Sequence, residues 1–322
     1  MKTFSRSFLT TLTGHLALAM LVAVVLFTFC MAGIAAAEEA LRFCTESSEN
    51  MLTSCADGAE SDYWLAIAQC NNFPNAGIRN TCKAEAAGNL ESAIQECQAQ
   101  FEVRLEICEV LGEKAYNPIV TPDDFVDVID NPFFPLKPGT TFVYEGTTKA
   151  GFEHNEVRVT HRTREILGVT CVEVRDTVTV DGELVESTLD WYAQDEEGNV
   201  WYFGENSKEL EEGLIVSLEG SWIAGVDRAK PGIIMKAHPH VGNLYRQEFS
   251  LGVAEDMAKV LSLNDSVTVP HGSFTDCLKT REFTPLEPDA KENKFYAPGI
   301  GNIKTVDLVT GDHVDLVDII TE

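Results

Sequence analysis

Nine cysteines are the residues of this 322-residue sequence whose spacing most directly indicates chemistry. Six of them form one N-terminal group: Cys44, Cys55, Cys70, Cys82, Cys97 and Cys108. The gaps between them are 11, 15, 12, 15 and 11 residues, an order that reads the same in both directions. This symmetry predicts two antiparallel elements folded about one midpoint. Of the 15 connectivities that six cysteines allow, it favours Cys44–Cys108, Cys55–Cys97 and Cys70–Cys82.

The same spacing predicts that the two elements are helices. Gaps of 11 and 15 residues are close to three and four helical turns, so the cysteines of each arm fall on one stripe. The other members of these stripes are Met51, Ala59, Tyr63 and Ala66 in the first arm and Ala86, Ala93, Phe101 and Leu105 in the second. Small residues let helices approach closely enough for disulfide bonds. We expect a helical hairpin that turns near Asn75-Ala76-Gly77, with a break or kink at Asp57-Gly58.

A metal site is the alternative use of clustered cysteines. The sequence has no C-x-x-C pair and no histidine between Ala40 and Ala115, so the common zinc and haem-attachment patterns are missing. Disulfides are therefore favoured, and they imply folding in an oxidising compartment. Cys171 and Cys277 lie far downstream, and we expect them to form a fourth bridge that ties an early strand to a late one.

His238-Pro239-His240 is the second candidate for chemistry. In a strand, both imidazoles would point to one side, as metal ligands can. The proline between them and Pro231-Gly232 upstream favour a loop, however, and no third ligand can be named. No G-x-S-x-G nucleophile motif is present. The sequence therefore predicts no catalytic residue, no cofactor and no resident metal.

Four aromatic residues on two neighbouring predicted strands are the candidate ligand-binding residues: Trp191, Tyr192, Trp201 and Tyr202. Alternation places aromatic rings on both faces of this ribbon. One face can fill a core, and the other can stack on a sugar or an apolar ligand. Both uses remain open from the sequence.

The N-terminus has the order of a secretory signal. Lys2 and Arg6 precede an uncharged apolar run from Leu16 to Ala37, which ends in Ala35-Ala36-Ala37 before the first acidic residues. This pattern predicts a signal peptide at residues 1–37. The run is also just long enough to span a bilayer, so an uncleaved anchor is the alternative.

The charge balance restricts the partners. The chain has 51 acidic and 24 basic residues and a formal net charge of −27. Such a surface repels nucleic acid and anionic lipid headgroups. We therefore expect no nucleic-acid partner, and no membrane contact once the signal is cleaved. A small apolar ligand or a protein is the expected partner, and basic proteins suit the charge.

The remainder of the chain reads as a separate β domain. We expect the Cys-rich helical hairpin at residues 38–115, a Pro-rich linker at 116–139 and antiparallel strands at 140–322. Alternation is clearest where Val172, Val174, Val178 and Val180 share one face of a strand that ends in the tight turn Asp181-Gly182. About ten such strands indicate an α+β protein whose second part is an antiparallel β-barrel or strongly curved sheet.

Several segments of the β domain resemble exported bacterial proteins that carry no assigned activity. They are Asn131–Leu136 (NPFFPL), Asp190–Asp195 (DWYAQD), Gly198–Glu205 (GNVWYFGE) and Tyr296–Gly301 (YAPGIG). The resemblance implies a periplasmic or secreted β domain and transfers no catalytic residues. The favoured function is an exported, non-enzymatic protein that binds a ligand or a partner through its β domain. The alternative is a secreted metal-dependent hydrolase that uses His238 and His240.

Overall fold

The computed structural model describes residues 42–322, so the predicted signal peptide, its cleavage site and the alternative anchor lie outside the described residues. Its first elements are helices α1 (Phe43–Cys70) and α2 (Ala76–Leu111), which pack as a hairpin. Three disulfides join them, Cys44–Cys108, Cys55–Cys97 and Cys70–Cys82, with Cα separations of 5.6, 5.7 and 5.6 Å. The hairpin and its three bridges are as the cysteine spacing predicted.

Two local details of the hairpin refine that prediction. Helix α1 runs unbroken through Gly58, so the predicted break at Asp57-Gly58 is wrong. A glycine inside a helix costs only about 1 kcal/mol, which the flanking disulfides offset. The turn ends at Asn75, whose side chain caps α2 by accepting hydrogen bonds from the backbone N–H groups of Gly77 and Ile78. Within residues 42–322, no helix is long and apolar enough to cross a membrane.

The β domain consists of 17 strands in one antiparallel sheet. They are β1 (Phe125–Val126), β2 (Thr140–Thr147), β3 (Phe152–Ile166), β4 (Val169–Val180), β5 (Glu183–Asp195), β6 (Val200–Asn206), β7 (Glu209–Glu211), β8 (Leu214–Ser217), β9 (Trp222–Ile223), β10 (Lys230–Met235), β11 (Leu244–Arg246), β12 (Glu248–Phe249), β13 (Met257–Val269), β14 (Gly272–Phe283), β15 (Lys291–Ala297), β16 (Gly301–Asp307) and β17 (His313–Thr321). Their alternating side chains and short turns are what the sequence predicted for most of this region.

The strand pairings run around a ring and produce a nearly closed barrel. Strands β2 to β6 pair in sequence order, and so do β13 to β17. These two groups of strands are joined at both ends. On one side β17 pairs with β2. On the other side β6 pairs with β10, and β10 connects through β12 and β11 to β13. The predicted turn at Asp181-Gly182 connects β4 to β5, and both residues have the positive φ (50° and 87°) of a tight hairpin.

The segment between hairpin and barrel is anchored to the barrel wall. Asn131 is buried, and its side chain donates hydrogen bonds to the carbonyl oxygens of Gly198 and Lys236. Gln194 accepts from the backbone N–H of Asn131 in return. Strand β1 also pairs with β5. The Pro-rich stretch therefore packs on the fold and brings Phe134 to the barrel interior.

Cys171 and Cys277 correct one sequence prediction, because both are buried free thiols that form no bridge within residues 42–322. Cys171 lies on β4 and Cys277 on β14. At least five strands separate them in either direction around the ring of pairings, so they occupy opposite walls of the barrel. Disulfide geometry needs Cα atoms roughly 4.4–6.8 Å apart. Alternation alone could not reveal how far apart the two strands would lie.

A buried ion pair joins the hairpin to the barrel. The Arg104 guanidinium on α2 donates two hydrogen bonds, of 3.0 and 2.8 Å, to the Glu255 carboxylate just before β13. The two side chains are only 6% and 1% exposed. Glu255 also accepts from the backbone N–H of Gly252. This bidentate contact fixes how α2 sits on the barrel.

Candidate ligand site inside the barrel

A cavity of about 460 Å³ lies within the barrel. Its wall comes from β2, β3, β4, β5, β10, β15, β16 and β17, which belong to both halves of the ring, together with Phe134–Leu136. The apolar part of the lining is Phe134, Pro135, Leu136, Phe142, Val157, Val178, Ile234, Ile300 and Val314. The polar part is Tyr144, Glu153, Asn155, Asp176, Glu186, Tyr192, Glu292, Lys294, Tyr296, Asn302 and Thr305. A cavity of this size and mixed lining suits a small molecule.

Lys294 on β15 is the only basic residue of the cavity wall, and two carboxylates hold it. Its Nζ lies 3.0 Å from Glu282 Oε2 and 2.9 Å from Glu292 Oε1. Burial alone would lower the pKa of Lys294, but these two negative charges outweigh it and raise that pKa well above its ordinary value. The hydroxyls of Tyr296 and Thr280 also donate to Glu282. This lysine is therefore neutralised by the protein and is not available to pair with a ligand.

Asp176 on β4 is the unusual acid of the cavity wall. Its Oδ1 has no hydrogen-bond donor, and neither has Oδ1 of Asn155 on the paired strand β3. Burial raises the pKa of Asp176 well above its ordinary value, and the negative charges of Asp190 and Glu186 raise it further. Lys294 and the Asn155 side chain offset only part of this increase. A buried acceptor without a donor costs free energy. These two oxygens mark a part of the wall where hydrogen-bond donors are missing.

Behind the cavity lies a second buried group of polar side chains. The rings of Tyr192 and Tyr202 stack with centroids 4.6 Å apart, and the Tyr202 hydroxyl donates to Asp190 Oδ1 at 2.5 Å. Asp190 is only 7% exposed. Burial raises the pKa of Asp190 to about 8, against the opposing effect of the Tyr202 hydrogen bond. At neutral pH this carboxyl is largely protonated.

Two further acids extend this group. Burial raises the pKa of Glu205 on β6 to about 8, and repulsion from Asp256 and Glu186 adds to the effect. Glu248 on β12 is buried, and its pKa is raised well above the ordinary value by burial and by Asp256 and Glu205. Asp190, Glu205 and Glu248 are thus acids of the barrel interior that form no salt bridge with any basic side chain of residues 42–322. The common cause is removal from water next to other acids.

The four aromatic residues predicted to bind ligand do not form one surface. Tyr192 lines the cavity, and Tyr202 is buried against it. Trp191 is buried with the Arg164 guanidinium 4.3 Å from its ring centroid. Trp201 donates from Nε1 to Asp195 and packs near Phe125. Only Tyr192 of the four is placed to touch a molecule in the cavity.

His238 and His240 lie in an exposed loop after β10, as the flanking prolines indicated. Nδ1 of His240 is 2.8 Å from the His238 carbonyl oxygen. Across residues 42–322, no group of three or more His, Cys, Asp or Glu side chains is arranged to hold a metal ion. The histidine pair therefore has no third ligand in the described part of the chain.

The acids of the barrel interior were not predicted from the sequence, although one signal pointed to them. Val172, Val174, Val178 and Val180 share one face of β4, and the member of that series at position 176 is an aspartate. A single acid on an otherwise apolar strand face is expensive to bury without a partner. Such an interruption indicates a functional position. Glu282 shows the same pattern on β14, where it follows Leu278 and Thr280 at every second position.

Comparison with known proteins gives little beyond this geometry. No family model matches the sequence, and no curated protein matches it either. One solved structure is similar, described as a "putative lipoprotein" from Parabacteroides distasonis ATCC 8503, with 14% sequence identity and a TM-score of 0.33. The match covers 58% of this chain and 98% of that one. At this level of similarity we transfer no property from it.

Proposed function

We propose that this protein is an exported, non-enzymatic binding protein whose barrel cavity holds a small organic cation with an apolar part. It acts outside the cytoplasm, in the periplasm or as a secreted protein. The three disulfides of the hairpin support this location, because such bridges persist in oxidising compartments.

The observation that carries the proposal is the missing donor at Asp176 and Asn155. Both residues line the cavity, and Oδ1 of each is a buried oxygen that accepts no hydrogen bond from residues 42–322. An ammonium group donates hydrogen bonds, and it carries the positive charge that a buried carboxylate needs as a partner. A bound amine would therefore relieve the burial cost of Asp176.

The rest of the lining favours the same ligand chemistry. Glu153, Asp176, Glu186 and Glu292 face the cavity, whereas Lys294 is its single basic residue. An anionic ligand would meet this acidic wall unfavourably. The rings of Tyr192 and Tyr296 and the apolar residues near Phe134 can contact the organic part of an amine, and aromatic faces attract cations.

The test compares benzylamine with benzyl alcohol, which has nearly the same shape but no charge at neutral pH. We expect the amine to bind the full mature chain at least 10-fold more tightly, measured by calorimetry at pH 7.5. Asp176→Asn should remove most of that preference. Glu156→Gln is the matched control, because Glu156 lies next to Asn155 on β3 but is exposed. Equal affinity for the amine and the alcohol would contradict the proposal.

A further inference from the structure

A second cleft, of about 280 Å³, lies where the hairpin meets the barrel, and we name it the junction cleft. The hairpin contributes Phe43, Cys44, Ser47, Ser48, Arg104 and Ile107, and the barrel contributes Arg228, Lys230, Arg246, Phe249, Leu251 and Glu255. Lys114, Ala115 and Tyr116 line the cleft between them. The cleft is separate from the barrel cavity and shares no residue with it.

The charge of the junction cleft is opposite to that of the protein. Five basic residues line it, and Glu255 is its single acid. Glu255 is fully engaged by Arg104. Within residues 42–322, the other four basic side chains have no carboxylate within salt-bridge distance: Lys114, Arg228, Lys230 and Arg246. In a chain with a net charge of −27, such an unpaired basic group is unexpected.

Arg246 is the central residue of this group. Among residues 42–322, its guanidinium nitrogens hydrogen-bond only to two sulfur atoms, Met257 Sδ at 3.9 Å and Cys44 Sγ at 4.0 Å, which are weak acceptors. Its guanidinium lies 5.0 Å from the ring centroid of Phe249 and 5.6 Å from that of Tyr116. Burial lowers the pKa of Arg246. A guanidinium that is stacked on aromatic rings but has no carboxylate partner has N–H groups free to donate hydrogen bonds to an oxyanion.

The surrounding contacts hold the cleft in a fixed shape. The Tyr116 hydroxyl donates to the Pro231 carbonyl oxygen at 2.8 Å, and Lys230 donates from Nζ to the Tyr116 carbonyl oxygen. Arg228 stands at the cleft in a turn where both it and Asp227 have positive φ, 67° and 48°. Such a backbone is unfavourable for residues other than glycine and is often retained at functional positions.

We propose that the junction cleft binds a small organic anion, a carboxylate or a phosphate ester with an apolar group. Its oxyanion pairs with Arg246 and Lys230, and its apolar group packs against Phe43, Tyr116 and Phe249. Binding contacts both the hairpin and the barrel, so an occupied cleft strengthens their junction. This site is independent of the cation site proposed for the barrel interior.

The test uses phenyl phosphate, benzoate and inorganic phosphate with the full mature chain at constant ionic strength. We expect calorimetry to show binding of at least one aromatic anion, and the comparison of the three identifies the preferred oxyanion and the role of the ring. Arg246→Gln should weaken that binding about 30-fold or more, because it removes a partly buried charged partner. Arg175→Gln, an exposed arginine on β4, is the matched control and should bind as the unaltered chain does.

Two results would overturn the proposal. One is that neither aromatic anion binds at millimolar concentration; the other is that Arg246→Gln binds them as well as the unaltered chain. The melting temperature without ligand separates a binding role from a structural one. Because Arg246 is an unpaired charge, Arg246→Gln should melt at the same or a higher temperature. A clear decrease would show that the arginine supports the fold, and would contradict its assignment to an anion site.

Discussion

Asp190 should make the stability of this protein fall as the pH rises, and Asp190→Asn should remove that effect. The carboxyl is 7% exposed, and burial raises its pKa to about 8 from an ordinary value of 3.8. Between these values the folded chain keeps a proton that the unfolded chain has released. Stability from this group is therefore complete below about pH 4 and is lost as the pH rises toward 8.

The size of this pH effect on the free energy of unfolding follows from the one proton that the folded chain binds and the unfolded chain has released. Between pH 5 and pH 7, the free energy of unfolding should fall by roughly 3 kcal/mol in total for this residue. Asparagine resembles the protonated acid in shape, can still accept from Tyr202, and does not titrate. The difference between Asp190→Asn and the unaltered chain should thus shift by that amount in favour of the variant.

Urea unfolding at pH 5, 6 and 7 measures how the free energy of unfolding changes with pH in the unaltered chain and in Asp190→Asn. Asp57→Asn is the control, because Asp57 is an exposed carboxyl on α1 and its replacement should leave the slope unchanged. If Asp190→Asn and the unaltered chain lose stability in parallel from pH 5 to pH 7, Asp190 is ionised in the folded protein. The account of a protonated acid layer behind the cavity would then be wrong.

Three further predictions concern the thiols, the junction and the barrel. Thiol labelling of the unfolded, unreduced mature chain should detect two free thiols, Cys171 and Cys277. If no free thiol is detected, the two cysteines form a disulfide after all. Arg104→Met should lower the free energy of unfolding by about 3–5 kcal/mol, because it leaves the Glu255 carboxylate buried without its partner. Adding Glu255→Met should recover most of that loss in the same urea assay, whereas additive losses would argue against a coupled pair. A chain beginning at Pro118 should fold, as judged by circular dichroism, and bind benzylamine like the full chain; loss of binding would show that the hairpin contributes to the cavity.

The hairpin could be predicted in detail because its constraint is covalent and local. Six cysteines in two helices must meet in pairs, so their sequence spacing fixes the register directly. Gly58 shows the limit of such reasoning, since its local preference is weaker than the disulfides on either side of it. The position of β4 was also recognisable, because alternation is a local property.

Features that depend on which strands become neighbours could not be predicted in the same way. Cys171 and Cys277 appeared suited to each other, yet the ring of pairings places β4 and β14 on opposite walls. The pair Arg104–Glu255 joins residues 151 positions apart, and nothing near either residue indicates the other. The junction cleft combines four separated segments, 43–48, 104–116, 228–230 and 246–255, for the same reason.

The acidic residues of this chain lie in two places, on the surface and inside the barrel. A surplus of acids on the surface keeps an exported protein soluble, and the sequence alone supports no more than that. Asp176, Asp190, Glu205 and Glu248, however, lie inside the barrel, where burial and neighbouring negative charges raise the pKa of each. Apolar residues of similar size would fill the same space at lower cost. The raised pKa values favour the protonated forms of Asp190, Glu205 and Glu248, which do not line the cavity. Asp176 does line it, and we infer that a ligand supplies the positive charge that would stabilise its carboxylate.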